Sequence, residues 1–300
     1  MQLNLKKDIL LLKNREINIE IERIVNFIRD NFDNKQKAII PISGGLDSDV
    51  VARLVYKALG RDRMKLFIII QSNMEKSHIK NAKKLAKSLN LELIKIRLKK
   101  MPYKIISEIQ KRDKTEGFNK KGLLDIARTK VALRTVINSI YQDKGYKVIG
   151  TSNKTEIELG FFLPFGDGIA HIKPIAHLYK TEVFKVAKKL GVNKKVLTQP
   201  PSAGLWKGEK DLEDISYWIY NEAPIQKERN FSKKDIKRVK KIYFKLSLKK
   251  IDKILNMLNQ NKNIDMIAKN VKLDKYIVKK IRKLILNSKK IKREEFNISL

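Results

Sequence analysis

Short apolar runs alternate with stretches of helical periodicity along the first half of the chain. Residues 17–32 carry apolar side chains at helical spacing and predict an amphipathic helix. Apolar or alternating runs that are bounded by polar residues predict strands. Four such strands are expected, at residues 38–42, 65–70, 91–96 and 147–150.

Helical patterns lie between these strands. One follows residues 43–48 and ends at Gly60, a second covers residues 77–89, and a third covers residues 123–140. Strands that alternate with helices favour right-handed β-α-β crossovers. We therefore predict an α/β fold with a doubly wound parallel sheet and helices on both faces. In such sheets, ligands bind beyond the carboxyl ends of the strands.

The end of the chain is predicted to be helical only. A helix at residues 181–190 is followed by a Pro-Pro break at residues 200–201. After Ser232, helical patterns cover residues 248–258, 264–270 and 275–286. The last two have the spacing of a DNA-binding helix-turn-helix, but helices that pack on a core or a partner subunit are commoner. We expect two units, residues 1–206 and residues 207–300.

Composition limits the class of protein. The 300 residues are 42% hydrophobic, which is enough for a sizeable core. The sequence lacks the run of about 18 apolar residues that a membrane span needs, and its start lacks a signal-peptide pattern. We therefore expect a cytoplasmic protein without a membrane association. The absence of cysteine excludes disulfides, thiolate metal sites and a cysteine nucleophile within this chain.

The net charge of +35 raises the question of nucleic-acid binding. The lysines are spread along nearly every predicted helix, and the C-terminal third is the most basic part. A diffuse basic surface is more often solvated than functional. We therefore expect no specific nucleic-acid partner.

A Gly-rich loop follows the first strand and leads into a helix. Residues 43–48, Ser-Gly-Gly-Leu-Asp-Ser, offer backbone amides and two hydroxyl groups to a phosphate. A carboxylate such as Asp47 would be repelled by a polyphosphate unless a divalent cation lay between them, so it predicts Mg²⁺. The loop resembles the signature of the PP-loop ATP pyrophosphatases, which split ATP between the α and β phosphates. The alternative is a Gly-Gly turn with a helix cap.

Two further segments carry candidate chemistry. Glu156 follows the fourth strand and supplies a second carboxylate for Mg²⁺, or else it is the acid of a capping box at Thr151 or Asn153. Lys180 stands at the start of a helix, where the helix dipole disfavours a cation. Either it faces an anion or it is solvated. The aromatic Gly-rich stretch 160–168 is suited to stacking on a flat ring or to packing at an interface.

Five motifs together resemble the NAD⁺ synthetase family. They are SGGLDS (43–48), GTSNKTE (150–156), GDG (166–168), KPIAHLYKTEV (173–183) and PPSAGLW (200–206), in the order and spacing of that family. Residues 251–292 also look like the family's C-terminal helical region. The resemblance implies a ligase that adenylates the carboxylate of nicotinic acid adenine dinucleotide with ATP, releases pyrophosphate, and then amidates it with ammonia to give NAD⁺ and AMP.

The resemblance also implies roles for single residues. Asp47 and Glu156 would bind Mg²⁺, and together with Lys180 they would be the catalytic groups. The substrate site would lie across a homodimer interface, with Arg134 as a rival to Arg128. The implied ATP-binding residues are Ser43, Gly44, Gly45, Leu46, Asp47, Ser48, Thr151, Lys180 and Ser202; the implied substrate-binding residues are Arg128, Phe161, Phe162 and Asp167.

Three departures from the family pattern bear on the substrate. His171 stands where the family usually has an aspartate, Ile169 replaces a glycine, and residues 215–246 look like an insertion. An alternative is therefore a PP-loop ligase that adenylates a different carboxylate, and a further one is a tRNA-modifying PP-loop enzyme. Because glutamine-using members carry an added amidase domain with a cysteine, we expect free ammonia or a separate glutaminase to supply the nitrogen.

Overall fold

A computed structural model describes residues 16–227 and 229–291 of the chain. Within these residues a single parallel sheet has the strand order β3-β2-β1-β4. This confirms the predicted parallel sheet. The strands are β1 (Lys37–Pro41), β2 (Met64–Ile70), β3 (Leu93–Arg97) and β4 (Tyr146–Val148).

The predicted helices are present, and the structure adds helices at residues 101–112, 154–159, 194–198 and 211–221, where none was predicted. The longest of these begins at residue 101. Pro102 lies in the first turn there, where its missing amide hydrogen costs nothing. The helices are α1 (Ile17–Asp30), α2 (Leu46–Leu59), α3 (Lys76–Ser88), α4 (Met101–Arg112), α5 (Leu124–Asp143), α6 (Lys154–Leu159), α7 (Lys180–Lys189), α8 (Lys194–Thr198), α9 (Asp211–Asn221), α10 (Lys233–Lys245), α11 (Leu248–Asn259), α12 (Ile264–Val271) and α13 (Lys275–Ile291).

Alternate residues of the central strands contribute to two different cores. Ile40 and Leu66 belong to the larger core, which includes residues of α1, α2, α3 and α7. Ile39 and Phe67 belong to a smaller core on the other face, against Tyr141 of α5. Because side chains alternate along a strand, two cores require helices on both faces of the sheet. The doubly wound arrangement is confirmed.

The C-terminal helices pack against the sheet unit through a third core. Leu159 at the end of α6 and Tyr179 just before α7 belong to the same buried cluster as Ile219, Ile251 and Ile281. The helices that follow the Pro-Pro break are therefore held against the two elements that carry Glu156 and Lys180. The first residues of the predicted unit 1–206 and the last residues of the predicted unit 207–300 lie outside the described residues. So does Lys292, the last residue of the segment that resembles the family's C-terminal helical region.

None of the helices in residues 16–227 and 229–291 has the length and apolar character that crossing a bilayer requires.

Candidate active site

The loop between β1 and α2 is held by its own hydrogen bonds and by close packing against α3. Gly44 has a φ of +80°, and a Cβ atom built on it would lie 2.1 Å from the carbonyl oxygen of His78. The hydroxyl oxygen of Ser48 accepts a hydrogen bond from the Ser43 amide at 3.2 Å, while its proton is donated to the Gly45 carbonyl at 3.1 Å. Only glycine fits at residue 44, because both the backbone angle and the approach of α3 exclude a side chain.

Lys180 brings the Gly-rich loop and the fourth strand's loop together. Its ammonium contacts the carboxylate of Asp47, and its Nζ lies 3.6 Å from Oε1 of Glu156. Only 5% of Lys180 is exposed. Of the two sequence interpretations, the structure therefore favours the lysine that faces anions. All three residues line one cleft at the carboxyl edge of the sheet.

Glu156 is the acid of a capping box, and its carboxylate also faces the cleft. Asn153 and Glu156 form a capping box at the start of α6, in which the Asn153 side chain accepts from the Glu156 amide at 3.0 Å. Oε1 of the same glutamate faces Lys180 and accepts from Nδ2 of Asn153 at 2.7 Å. Asn153 Nδ2 also lies 3.3 Å from Oδ1 of Asp47. The cap therefore orients the carboxylate toward the cleft.

Negative charge exceeds positive charge at this point of the cleft. Burial raises the pKa of Glu156, an effect that Lys180 opposes and Asp47 reinforces. Burial also raises the pKa of Asp211, at the start of α9, to about 6. Burial by itself would lower the pKa of Lys180, but the three surrounding carboxylates outweigh it and raise that pKa. The Lys180 ammonium is therefore charged. This one cation does not balance the three surrounding carboxylates of Asp47, Glu156 and Asp211.

The carboxylates suit Mg²⁺ rather than a metal held wholly by protein. Among the described residues, no three His, Cys, Asp or Glu side chains come together as a metal site. Mg²⁺ commonly takes one or two carboxylates and completes its shell with water and substrate phosphate oxygens. Asp47 and Glu156 offer such a pair beside a phosphate-binding loop, and the surplus negative charge of the cleft fits a cation.

Most of the remaining predicted residues line the same cleft. Thr151, Phe161, Asp167 and Ser202 are among its walls. The Phe161 ring meets the ring of Trp218 edge to face, with centroids 4.9 Å apart. Asp167 accepts from the Leu163 amide at 2.8 Å, and Ser202 donates to Glu209 at 3.0 Å.

Two predicted substrate residues lie elsewhere. The Arg128 guanidinium donates to the carbonyl oxygens of Ile225 and Gln226, and Arg134, its rival, lines the cleft in its place. Phe162 does not belong to the cleft wall; its ring lies 5.9 Å from Nζ of Lys173. Neither Arg128 nor Phe162 lines the cleft of this chain, although Arg134 and Phe161, which are close to them in sequence, do.

Of the two single-residue departures from the family pattern, Ile169 lines the cleft and His171 does not. Nδ1 of His171 accepts from the Val148 amide at 3.0 Å, so this nitrogen extends the sheet edge. Ile169 lines the cleft and is 40% exposed. At this wall, an isoleucine side chain therefore stands where the family pattern has a glycine, which has no side chain.

Several cleft residues were not predicted. Asp211 follows the Pro-Pro motif by ten positions and has no motif of its own, so only its place in the first turn of a helix was a signal. Asn138 lines the cleft from α5, and its Oδ1 is buried without a hydrogen-bond partner in the described structure. Lys130 crosses between two loops, with Nζ donating to the carbonyls of Ser72 at 3.0 Å and Leu205 at 2.6 Å. Helical periodicity alone does not reveal these contacts.

Comparison with known proteins identifies relatives over most of the chain. Residues 20–249 match the family model described as NAD synthase. The NH₃-dependent NAD⁺ synthetase of Pyrococcus horikoshii is 37% identical, over 67% of this chain and 75% of that protein. The protein of the same name from Pyrococcus furiosus is 34% identical, over 76% of this chain and 91% of that protein.

Solved structures with the same fold include two relevant ones. The NMN synthetase of Francisella tularensis superposes with a TM-score of 0.60 at 28% identity and covers 76% of this chain and 92% of its own. An NH₃-dependent NAD synthetase from Campylobacter jejuni superposes with a TM-score of 0.66 at 22% identity, over 96% and 100% of the two chains. The second likeness concerns the fold alone.

Proposed function

Because the chain belongs to the NAD synthase family, we propose that it converts nicotinic acid adenine dinucleotide to NAD⁺ with ATP and ammonia. It is a ligase that forms a carbon–nitrogen bond. The observation that carries this proposal is the buried Lys180 beside Asp47 and Glu156, at the mouth of the Gly-rich loop. The family assignment disfavours the tRNA-modifying alternative.

The first step transfers an adenylyl group. An oxygen of the substrate carboxylate attacks the α-phosphorus of ATP, and the bond from that phosphorus to the bridging oxygen of the β-phosphate breaks. Pyrophosphate leaves with the electron pair. The loop at 43–48 would hold this leaving group, and the Lys180 ammonium would neutralise its growing charge. Thr151 and Ser202 line the cleft and would contact the nucleotide.

Mg²⁺ would be held by Asp47 and Glu156 and would neutralise phosphate charge when bound. Because Asp47 and Glu156 would then face Mg²⁺, the Lys180 ammonium would pair with a phosphate oxygen in place of a carboxylate. In the second step, ammonia attacks the acyl carbon, AMP leaves with the electron pair, and the nitrogen loses a proton. Asp167 and Phe161 would contact the nicotinate half of the substrate.

The nitrogen source that we propose is free ammonia, with a separate glutaminase as the alternative. No cysteine is present to release ammonia from glutamine within this chain. We also propose a cytoplasmic location, where ATP is available, and a division into a nucleotide-binding unit (1–206) and a helical unit (207–300).

We propose a homodimer formed by the exposed side of α4 and α5. Val136 and Ile140 on α5 are each 54% exposed, and Met101 and Ile109 on α4 are 41% and 36% exposed. Positions 136 and 140 share one helix face. Adjacent apolar side chains on a surface are typical of an interface. Arg128 and Phe162 would then act across this interface, which accounts for their places outside the cleft of one chain.

The experiment that tests the function is a product assay. The protein is incubated with nicotinic acid adenine dinucleotide, ATP, Mg²⁺ and ammonium, and the products are separated by chromatography. We expect NAD⁺, AMP and pyrophosphate in equal amounts. Formation of ADP, or ATP cleavage that is independent of the dinucleotide, would contradict the proposal. Ammonium and glutamine are compared as nitrogen donors in the same assay.

A second candidate is amidation of the deamidated mononucleotide. It is favoured by the likeness to an NMN synthetase and by Ile169, which lines the cleft where the family pattern has a glycine. The two substrates share the nicotinate carboxylate and differ in the adenylate half. Measuring kcat/KM for both decides between them: the first proposal requires the dinucleotide to be preferred, and the opposite preference would support the second candidate.

A further inference from the structure

A buried carboxylate in the C-terminal helices links the two elements that carry the site. Asp252 on α11 has no exposed surface. Its Oδ1 accepts from the hydroxyl of Thr155 at 2.6 Å, and its Oδ2 accepts from the amide of Thr181 at 2.8 Å. Thr155 lies in the first turn of α6, and Thr181 lies in the first turn of α7. One side chain therefore joins two helix starts.

A second hydrogen bond closes this arrangement. The amide of Lys180 donates to the hydroxyl oxygen of Thr155 at 2.9 Å, and the same hydroxyl donates its proton to Asp252. The direction of every bond is determined, because backbone amides can only donate and a carboxylate can only accept. Glu156 and Lys180 are the sequence neighbours of Thr155 and Thr181. The network therefore sets the distance between Glu156, which would hold Mg²⁺, and Lys180, which would pair with phosphate.

Two hydrogen bonds stabilise the charge of Asp252. Among the described residues, its carboxylate forms no ion pair. A carboxylate is stabilised near helix N-termini, where backbone amides point outward. Burial raises the pKa of Asp252, while the hydrogen bonds from Thr155 and Thr181 lower it. A buried carboxylate is costly unless its oxygens are hydrogen-bonded, and here both oxygens are.

We propose that Asp252 is a positioning residue for the adenylation step, acting through Thr155 to hold Glu156 and Lys180 in register. This rests on the proposed function. It also gives the C-terminal helical region a part in the chemistry, although that region is separated from the Gly-rich loop by two hundred positions of sequence. Asp252 itself contacts neither phosphate nor substrate.

Two pairs of variants separate this role from simple support of the fold. Asp252→Asn keeps the volume but offers one acceptor in place of two, so either Thr155 or Thr181 loses its partner. Thr155→Val removes the hydroxyl and keeps the shape, whereas Thr155→Ser keeps the hydroxyl and is the rescue variant. Asp265→Asn is the control, since the Asp265 side chain is 67% exposed and pairs with Lys275 on the surface.

Each variant is first checked for folding by circular dichroism and thermal melting. Steady-state kinetics then give kcat, the KM for each substrate and the Mg²⁺ concentration at half-maximal rate. We expect Asp252→Asn and Thr155→Val to lower kcat roughly 10- to 100-fold and to raise the Mg²⁺ requirement, as for other residues that orient metal ligands. The KM for the dinucleotide should change little, and Thr155→Ser and Asp265→Asn should stay near the parent.

Calorimetry of ATP binding without the dinucleotide gives a readout that does not depend on turnover. We expect Mg²⁺ to strengthen ATP binding by the parent protein more than by folded Asp252→Asn or Thr155→Val. Parent-like kcat and Mg²⁺ dependence in both folded variants would overturn the proposal, and so would equal losses in Thr155→Val and Thr155→Ser. If the parent protein makes no NAD⁺, the proposed function fails. If the parent makes NAD⁺ and the folded Asp252→Asn and Thr155→Val variants match it, this inference alone fails.

Discussion

The ammonium of Lys180 contacts the carboxylate of Asp47 across 133 positions of sequence. The contact joins the start of α7 to the Gly-rich loop; the Lys180 side chain is 6% exposed and the Asp47 side chain 17%. A lysine in this place is charged, because the carboxylates around it raise its pKa. It can pass from a carboxylate to a phosphate oxygen without moving far.

Replacing Asp47 by Asn should nearly abolish turnover and leave the fold intact. The amide keeps the shape of the side chain but cannot bind Mg²⁺ as an anion, so kcat should fall by about 10²- to 10³-fold. Steady-state kinetics and circular dichroism measure the two effects. Asp62→Asn is the control, because the Asp62 side chain is 91% exposed and lies in the turn before β2. Full activity in Asp47→Asn would remove Asp47 from the mechanism.

Replacing Lys180 by Met should destabilise the metal-free protein, and more so at high pH. Removing one partner of a buried ion pair costs about 3–5 kcal/mol, because the other charge is left uncompensated. Burial raises the pKa values of Glu156 and Asp211, so both carboxyls are neutral at low pH and charged at high pH. The difference in unfolding free energy from the parent should therefore be larger at pH 8 than at pH 5. Denaturant titrations at both pH values test this, and a pH-independent loss would contradict it.

Gly44→Ala should impair ATP binding and lower stability. The added methyl group would meet the carbonyl of His78 and would require a left-handed backbone angle of +80°. Gly60→Ala is a matched control, since its φ is +74° and nothing lies within 4 Å of the added atom. We expect Gly60→Ala to cost roughly 1 kcal/mol in strain alone and to leave ATP binding unchanged. Calorimetry and thermal melting compare the two; equal behaviour would show that α3 yields to the methyl group.

Asp214→Asn should stabilise the protein above neutral pH. Burial and the neighbouring carboxylates of Glu209, Asp211 and Glu213 raise the pKa of Asp214 to about 8. The folded state therefore binds a proton that the unfolded state releases near pH 4, so stability falls as the pH rises between these two values. Asparagine removes this dependence. We expect a gain of about 1 kcal/mol at pH 8 and almost none near pH 4, as measured by urea unfolding. A gain that is equal at both pH values would contradict the shifted pKa.

Val136→Lys combined with Ile140→Lys should convert a dimer to a monomer. Both positions are exposed and polar substitution there costs little in the monomer fold, whereas two added charges in an apolar interface would oppose association. Light scattering coupled to size exclusion measures the mass. Ile19→Lys is the control, because Ile19 is 71% exposed on α1. A parent protein that is monomeric at all concentrations would contradict the proposed dimer.

Much of the site could be predicted because its signals are local. A strand, a Gly-rich loop and a helix follow one another within residues 38–60, so Asp47 was placed by neighbouring residues alone. The alternation of strands with helices along the chain predicted the parallel sheet in the same way. Once the strands are parallel, their carboxyl ends share an edge, and the loops with Asp47 and Glu156 must approach each other.

The sequence by itself determined most of the elements, the sheet type, the Gly-rich loop and the residue types of a nucleotide-dependent ligase. Only the tertiary structure decided which side chains meet there: Lys180 as the cation between carboxylates, Asp211 as a third acid, Arg134 in the cleft where Arg128 was predicted, and Asp252 hydrogen-bonded to two helix starts. Periodicity and motifs depend on neighbours along the chain, whereas these contacts depend on how far and at what angle separate helices pack. That information is distributed over the whole core and no short segment carries it.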